Sequence, residues 1–101
     1  MRPCKRIEIV LERSQMDRLV RALQDAGASG YTVIMNAGGG GDRGYRRADD
    51  VTDTDENCVF IVAAEDEAQS RAILDKVRPI LERYGGMCLV SEAQWLIHSS
   101  R

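Results

Sequence analysis

The sequence predicts an α+β domain of ferredoxin-like type, a βαββαβ antiparallel sheet with two helices on one face. Three observations predict it. Four segments carry strand patterns, two carry amphipathic helix patterns, and turn residues separate most of them in the order β-α-β-β-α-β. Right-handed crossovers then place both helices on the same side of the sheet. At 101 residues the chain is one domain, residues 1–101. A chain this long buries roughly 65% of its unfolded surface, enough for one core.

Residues 6–12 alternate, with Ile7, Ile9 and Leu11 on one side and Arg6, Glu8 and Glu12 on the other. Ser14 is the expected start of the first helix, with Asp17 as a weak capping-box partner. Met16, Leu19, Val20 and Leu23 form its apolar stripe, and Gly27 supplies a left-handed stop. Residues 30–35 read as a second strand, and Asn57–Ala64, rich in β-branched residues, as a third. Asp66 is a candidate cap for the second helix, with Gln69 at the capping-box position. Ile73 or Leu74, Val77, Leu81 and Tyr84 make its expected buried face. Pro79 removes one helical hydrogen bond and should bend it, and Gly85 and Gly86 end it. Residues 87–93 form the fourth strand, leaving the segment from Trp95 unassigned.

Two helices cover one side of a sheet only. Val10, Ile34, Val59, Ile61 and Val90 are expected on the other side, where they would lie in water. A contiguous apolar patch of this kind marks an interface, so a homo-oligomer with sheets facing inward is expected.

Composition narrows the function. The net charge of −2 argues against a broadly basic nucleic-acid binder. The longest apolar run, the seven residues from Cys58 to Ala64, is far short of a membrane span, so no direct membrane insertion is expected. The chain start has no apolar signal block, which reads as cytoplasmic. Three widely spaced cysteines, Cys4, Cys58 and Cys88, make neither a CxxC pair nor a disulfide framework, and no metal site is expected. No Ser/His/Asp or Cys/His set is visible, His98 reads as an exposed imidazole, and no catalytic residue is assigned.

The strongest functional signal is the connection at about residues 36–56, too long for a plain link in so small a domain. Its first half carries Gly38, Gly39, Gly40 and Gly41, followed by Arg43, Arg46 and Arg47. Consecutive glycines can turn several backbone N–H groups toward one anion, and arginines add forked donors matched to phosphate or carboxylate. Gly40, Gly41, Arg43, Arg46 and Arg47 are therefore the candidate anion site. The second half, with Asp49, Asp50, Asp53, Asp55 and Glu56, reads as a solvated acidic hinge. Gly39, Gly41 and Gly44 match GxGxxG, but the residues that follow make a poor helix start. Asp53, Asp55 and Asn57 imitate a calcium loop, yet Cys58 replaces its glycine and Ala64 its final glutamate.

The segment Gly27-Ala28-Ser29-Gly30-Tyr31-Thr32-Val33, followed by the glycine run and Asp42-Arg43-Gly44, resembles the PII signalling family. Within it, residues 39–46 are similar to the Gly-rich, Arg-containing loop of PII-like proteins linked to bicarbonate uptake and carboxysomes. The resemblance covers nearly the whole chain. It implies a PII-type homotrimer with adenine nucleotides in the clefts between subunits. Gly30 and Thr32 would then lie near the adenine or ribose, Gly39, Gly40 and Gly41 near the phosphates, and Arg43 and Arg46 on phosphate oxygens. Gly86, Met87 and Cys88 would correspond to the B-loop of the neighbouring subunit, and residues 36–56 to the family's T-loop.

The resemblance further implies a non-enzymatic regulator with ADP, AMP or ATP as effector, cyclic AMP and bicarbonate as further candidates, and a membrane bicarbonate transporter or a carboxysome-related protein as partner. Two departures stand out. Gly85-Gly86-Met87-Cys88 lacks the usual B-loop lysine, and Trp95-Leu96-Ile97-His98 replaces the C-terminal arginine pair. With fewer cations on the phosphates, AMP and ADP should compete well with ATP. Two other readings remain open: a slow Mg-dependent nucleotide phosphohydrolase using the acidic half of the loop, and another ferredoxin-like module binding an amino acid or a metal.

Overall fold

The computed structural model describes residues 1–38 and 56–96. Strand β1 spans Arg2–Glu12, helix α1 Met16–Asp25, β2 Thr32–Ala37, β3 Asn57–Ala64, α2 Glu67–Tyr84 and β4 Met87–Trp95. The strands form one antiparallel sheet in the order β2-β3-β1-β4. The α+β architecture is therefore the one expected.

Register assigns the faces, because residues directly opposite each other in neighbouring strands project to the same side. Ile7 faces Val62, Ile9 faces Phe60 and Leu11 faces Cys58, and all six are buried beneath the helices. Leu19, Ala22 and Leu23 of α1 and Ile73, Val77 and Ile80 of α2 close that core. The α2 face is rotated from expectation. Ile80 is buried, whereas Leu74, Leu81 and Tyr84 are packed only partly against the core. Pro79 sits inside a helix that runs unbroken from Glu67 to Tyr84.

Two strands are longer than periodicity suggested, and a third is shifted by two residues. β1 begins at Arg2 and β4 continues to Trp95, with Arg2 opposite Trp95 at the end of their ladder. β2 includes Asn36 and Ala37, which the sequence placed in the loop. The register slips by one residue between Ile34 and Ala37, and Asn36 has φ +60°. Asparagine tolerates this left-handed geometry, and a bulge of this sort bends the strand as the glycine run begins.

The start of α1 also departs from the sequence reading. Residues Arg13–Gln15 form a 3-10 turn and α1 begins at Met16 without a side-chain cap, so Ser14 does not serve as one. The Arg13 N–H donates to the Glu56 carbonyl at 2.8 Å, and the Arg13 guanidinium to the Glu56 carboxylate at 2.9 Å. Glu56, its side chain only 13% exposed, thus anchors the return of the long connection instead of belonging to a solvated hinge.

Asp66 caps α2 as expected, accepting from the Gln69 N–H at 2.8 Å. The Gln69 side chain accepts from the Glu65 N–H at 2.8 Å and donates to the Gly27 carbonyl at 2.9 Å. It ties the start of α2 to the turn after α1, where Gly27 has φ +78°.

The face away from the helices carries Thr32 and Ile34, Val59, Ile61 and Ala63, Arg6, Glu8 and Val10, and Met87 and Leu89. Ile34, Met87 and Leu89 are each about half exposed. Val90 is a correction: it pairs with Ile7 and therefore lies on the helix side, exposed on the edge strand β4. Leu89, opposite Glu8, takes its place on the open face.

Candidate functional site

A cleft of about 630 Å³ opens at the end of the sheet where β2 begins. Its size falls within the usual range of small-molecule sites. One wall is the approach to β2, residues Ser29, Gly30, Tyr31 and Thr32. The floor is Ile61 and Ala63 of β3. The remaining wall is Glu65 with Arg2, Trp95 and Leu96.

Local structure explains each wall. The Gln69 bridge from Glu65 to Gly27 holds the floor's outer end and the β2 approach in one frame. Tyr31 packs its ring 5.4 Å from that of Phe60, which anchors the approach to the core. Gly30 has no atom within 4 Å of where a Cβ would project, so its backbone borders open space. The Arg2 guanidinium stands 5.9 Å from the Trp95 ring centre and 3.6 Å from the Glu65 carboxylate. At half exposure that ion pair stabilises the fold by less than about 1 kcal/mol, but it positions the guanidinium.

Among the expected site residues, Gly30 and Thr32 line this cleft together. Gly86, Met87 and Cys88 lie at the opposite edge of the sheet. Thr32 pairs with Ile61, Ile61 with Glu8 and Glu8 with Leu89, so three strand spacings, roughly 14 Å, separate the two edges. None of Gly86, Met87 and Cys88 is among the residues that line the cleft. Gly39, Gly40, Gly41, Arg43, Arg46 and Arg47 lie outside the described residues, as does His98.

Gly86 has a structural reason to be glycine. Its φ is +123°, and a Cβ there would stand 2.5 Å from the Val10 carbonyl oxygen. Cys88, opposite Ile9, packs against the core, and burial pushes its thiol up from the usual range, as it does for Cys58. Among the described residues the cysteines are free and no His/Cys/Asp/Glu group is arranged to hold a metal ion. Among them too, no helix is long and apolar enough to cross a membrane.

Arg2, Glu65 and Trp95 are the site residues that sequence reasoning missed. Ending the strands at residues 6 and 93 left Arg2 and Trp95 outside the sheet, and only the β1–β4 register brings them together.

Comparison with known proteins agrees with this architecture. The chain is similar to CPII, a nitrogen regulatory PII-like protein from Thiomonas intermedia K12 solved with ADP, AMP and bicarbonate. The identity is 29%, over 92% of this chain and 88% of that one, with a TM-score of 0.80. It is also similar to a PII-like signalling protein from Thermus thermophilus, at 27% identity over 94% of this chain and 91% of that one, TM-score 0.76. The GlnK–ATP complex of B. subtilis shares the fold at 16% identity over 92% of this chain and 84% of that one, TM-score 0.66. The sequence profile of the nitrogen regulatory protein P-II family matches residues 4–98, and the chain belongs to that family.

Proposed function

We propose that the protein is a non-enzymatic regulator that assembles as a homotrimer and binds adenine nucleotides at its subunit seams. The observation that carries this reading is the cleft at Gly30 and Thr32, open on the side of the sheet that the helices leave bare. The base and ribose lie in the cleft. The phosphates point along β2, Thr32–Ala37, toward the glycine run. There Gly39, Gly40 and Gly41 offer N–H groups, and Arg43 and Arg46 offer paired donors. A neighbouring subunit brings the backbone of Gly86, Met87 and Cys88 against the same ligand, since none of the three lines the cleft of its own protomer.

Bicarbonate is the proposed second effector, held by Gly40, Gly41, Arg43, Arg46 and Arg47. The similarity to CPII, whose structures hold ADP, AMP and bicarbonate, supports this. Nucleotide and anion together set the form of residues 36–56, which acts in the cytoplasm on a membrane bicarbonate transporter or a carboxysome-related protein and so controls inorganic-carbon uptake.

The test is titration calorimetry with AMP, ADP, ATP and cyclic AMP, each with and without bicarbonate. Adenine-nucleotide binding below millimolar is expected, with AMP and ADP competing with ATP. Linkage makes the coupling reciprocal: the factor by which bicarbonate tightens ADP equals the factor by which ADP tightens bicarbonate. No nucleotide binding below millimolar ends the reading. Arg43→Ala should weaken ADP more than adenosine, and equal losses would remove that arginine from the phosphates.

A further inference from the structure

The geometry points to Trp95 as the residue that grips the base, with Arg2 fixed beside it as part of the same wall; this rests on the nucleotide reading above. The replacement of the family's C-terminal arginine pair at residues 95–98 reads in sequence as a loss of phosphate contacts. In the fold it is a gain at the other end of the ligand.

Four features combine. Trp95 is half-buried and lines the cleft that Gly30 and Thr32 border, so its indole is held in place and still reachable. The Arg2 guanidinium, 5.9 Å from the indole centre, adds a second planar group to that wall. Glu65 pairs with Arg2 at 3.6 Å, and its backbone is held by the Gln69 side chain, which accepts from its N–H. The floor beneath, Ile61 and Ala63, is apolar and carries no group that competes for the polar edges of a base. A flat aromatic surface beside a cation, over an apolar floor, suits a planar heteroaromatic ring, and stacking tolerates any such ring. The site therefore gains affinity for the nucleoside part of its ligand, independent of phosphate count. Nucleosides and monophosphates should benefit proportionally most, because they have fewest other contacts.

Trp95 is the only tryptophan, so it reports on itself. Adenosine, AMP, ADP and inorganic pyrophosphate are titrated into the full chain, following intrinsic fluorescence and heat together. The expected result is a fluorescence change with adenosine, AMP and ADP and none with pyrophosphate. Trp95→Ala should weaken adenosine and ADP by the same factor, about tenfold. Trp95→Phe, which preserves a ring, should restore most of that affinity and guards against a folding defect in the alanine variant. Arg2→Gln should cost a few-fold for both ligands.

Unchanged ADP affinity in Trp95→Ala, or a loss confined to ADP with adenosine spared, overturns the assignment while leaving the proposed function standing. Failure of the unsubstituted protein to bind any adenine nucleotide by calorimetry overturns the functional reading and this inference with it.

Discussion

On the helix side of the sheet Ile7, Ile9, Phe60 and Val62 are sealed from water, while one residue along the same strands Val10, Val59 and Ile61 are only partly covered. At the edges the contrast is sharper, with Ile34 of β2 and Leu89 of β4 50% and 53% exposed. Both faces are built from the same kinds of branched residue. The difference lies in what covers them: α1 and α2 complete one face, and among the described residues the other carries no helix. A sheet whose bare face is this apolar is adapted to association, and the bare face is also where the cleft opens.

Charge placed on the bare face should have the largest effect. Leu89→Glu is expected to abolish the proposed trimer in sedimentation at micromolar concentration, since each subunit would bury an unpaired carboxylate at the seam. Val90→Glu, one residue on and on the helix side, should leave assembly intact. Equal behaviour of the two variants would break the assignment of faces. Phe60→Ala tests the sealed face and should cost about 3–5 kcal/mol in urea denaturation, because that ring is fully buried.

Next come the glycines at the two sheet edges. Gly86→Ala should destabilise by about 1–3 kcal/mol through its positive φ and the clash with the Val10 carbonyl. Gly30→Ala, with open space around it, should leave thermal stability near that of the unsubstituted protein and weaken nucleotide binding. A stability loss at Gly30 equal to that at Gly86 would undo this distinction.

The smallest expected effect is on pH dependence. Burial raises the Cys58 and Cys88 thiols above the usual 9.0, so the folded state holds those protons longer than the unfolded chain does. Their contribution is fully present below that unfolded value and is lost as pH rises through the higher folded ones. The hydrogen bond to Glu92 likewise raises Lys5 above 10.5, with the same sign in a more alkaline window. Urea midpoints should therefore fall above about pH 9, and Cys58→Ala should flatten that fall. A midpoint that climbs with alkalinity would contradict it.

Local chemistry was legible wherever a single segment decided the outcome. Asn57–Ala64 appears with the bounds its β-branched run implied, Asp66 caps α2, and Gly27 ends α1 in a left-handed conformation. The element order and the bare apolar face followed from periodicity alone, because side-chain alternation is a property of the strand itself. Gly30 and Thr32, at the start of β2, could be singled out because the segment that carries the family resemblance is continuous in the chain.

Tertiary structure decided what depends on register and on partners far apart in sequence. Val90 changes face because β4 pairs with β1 one residue away from the alternation assumed for it, and a one-residue slip moves every side chain to the other side. Glu56 became an anchor only when β3 carried it beside Arg13. Arg2 and Trp95, at opposite ends of the sequence, meet because antiparallel pairing folds the two ends of the chain onto one level of the sheet. Periodicity records which way a side chain points along its own strand; which neighbour it meets is set by hydrogen-bonded pairing between strands, and no local pattern encodes that pairing.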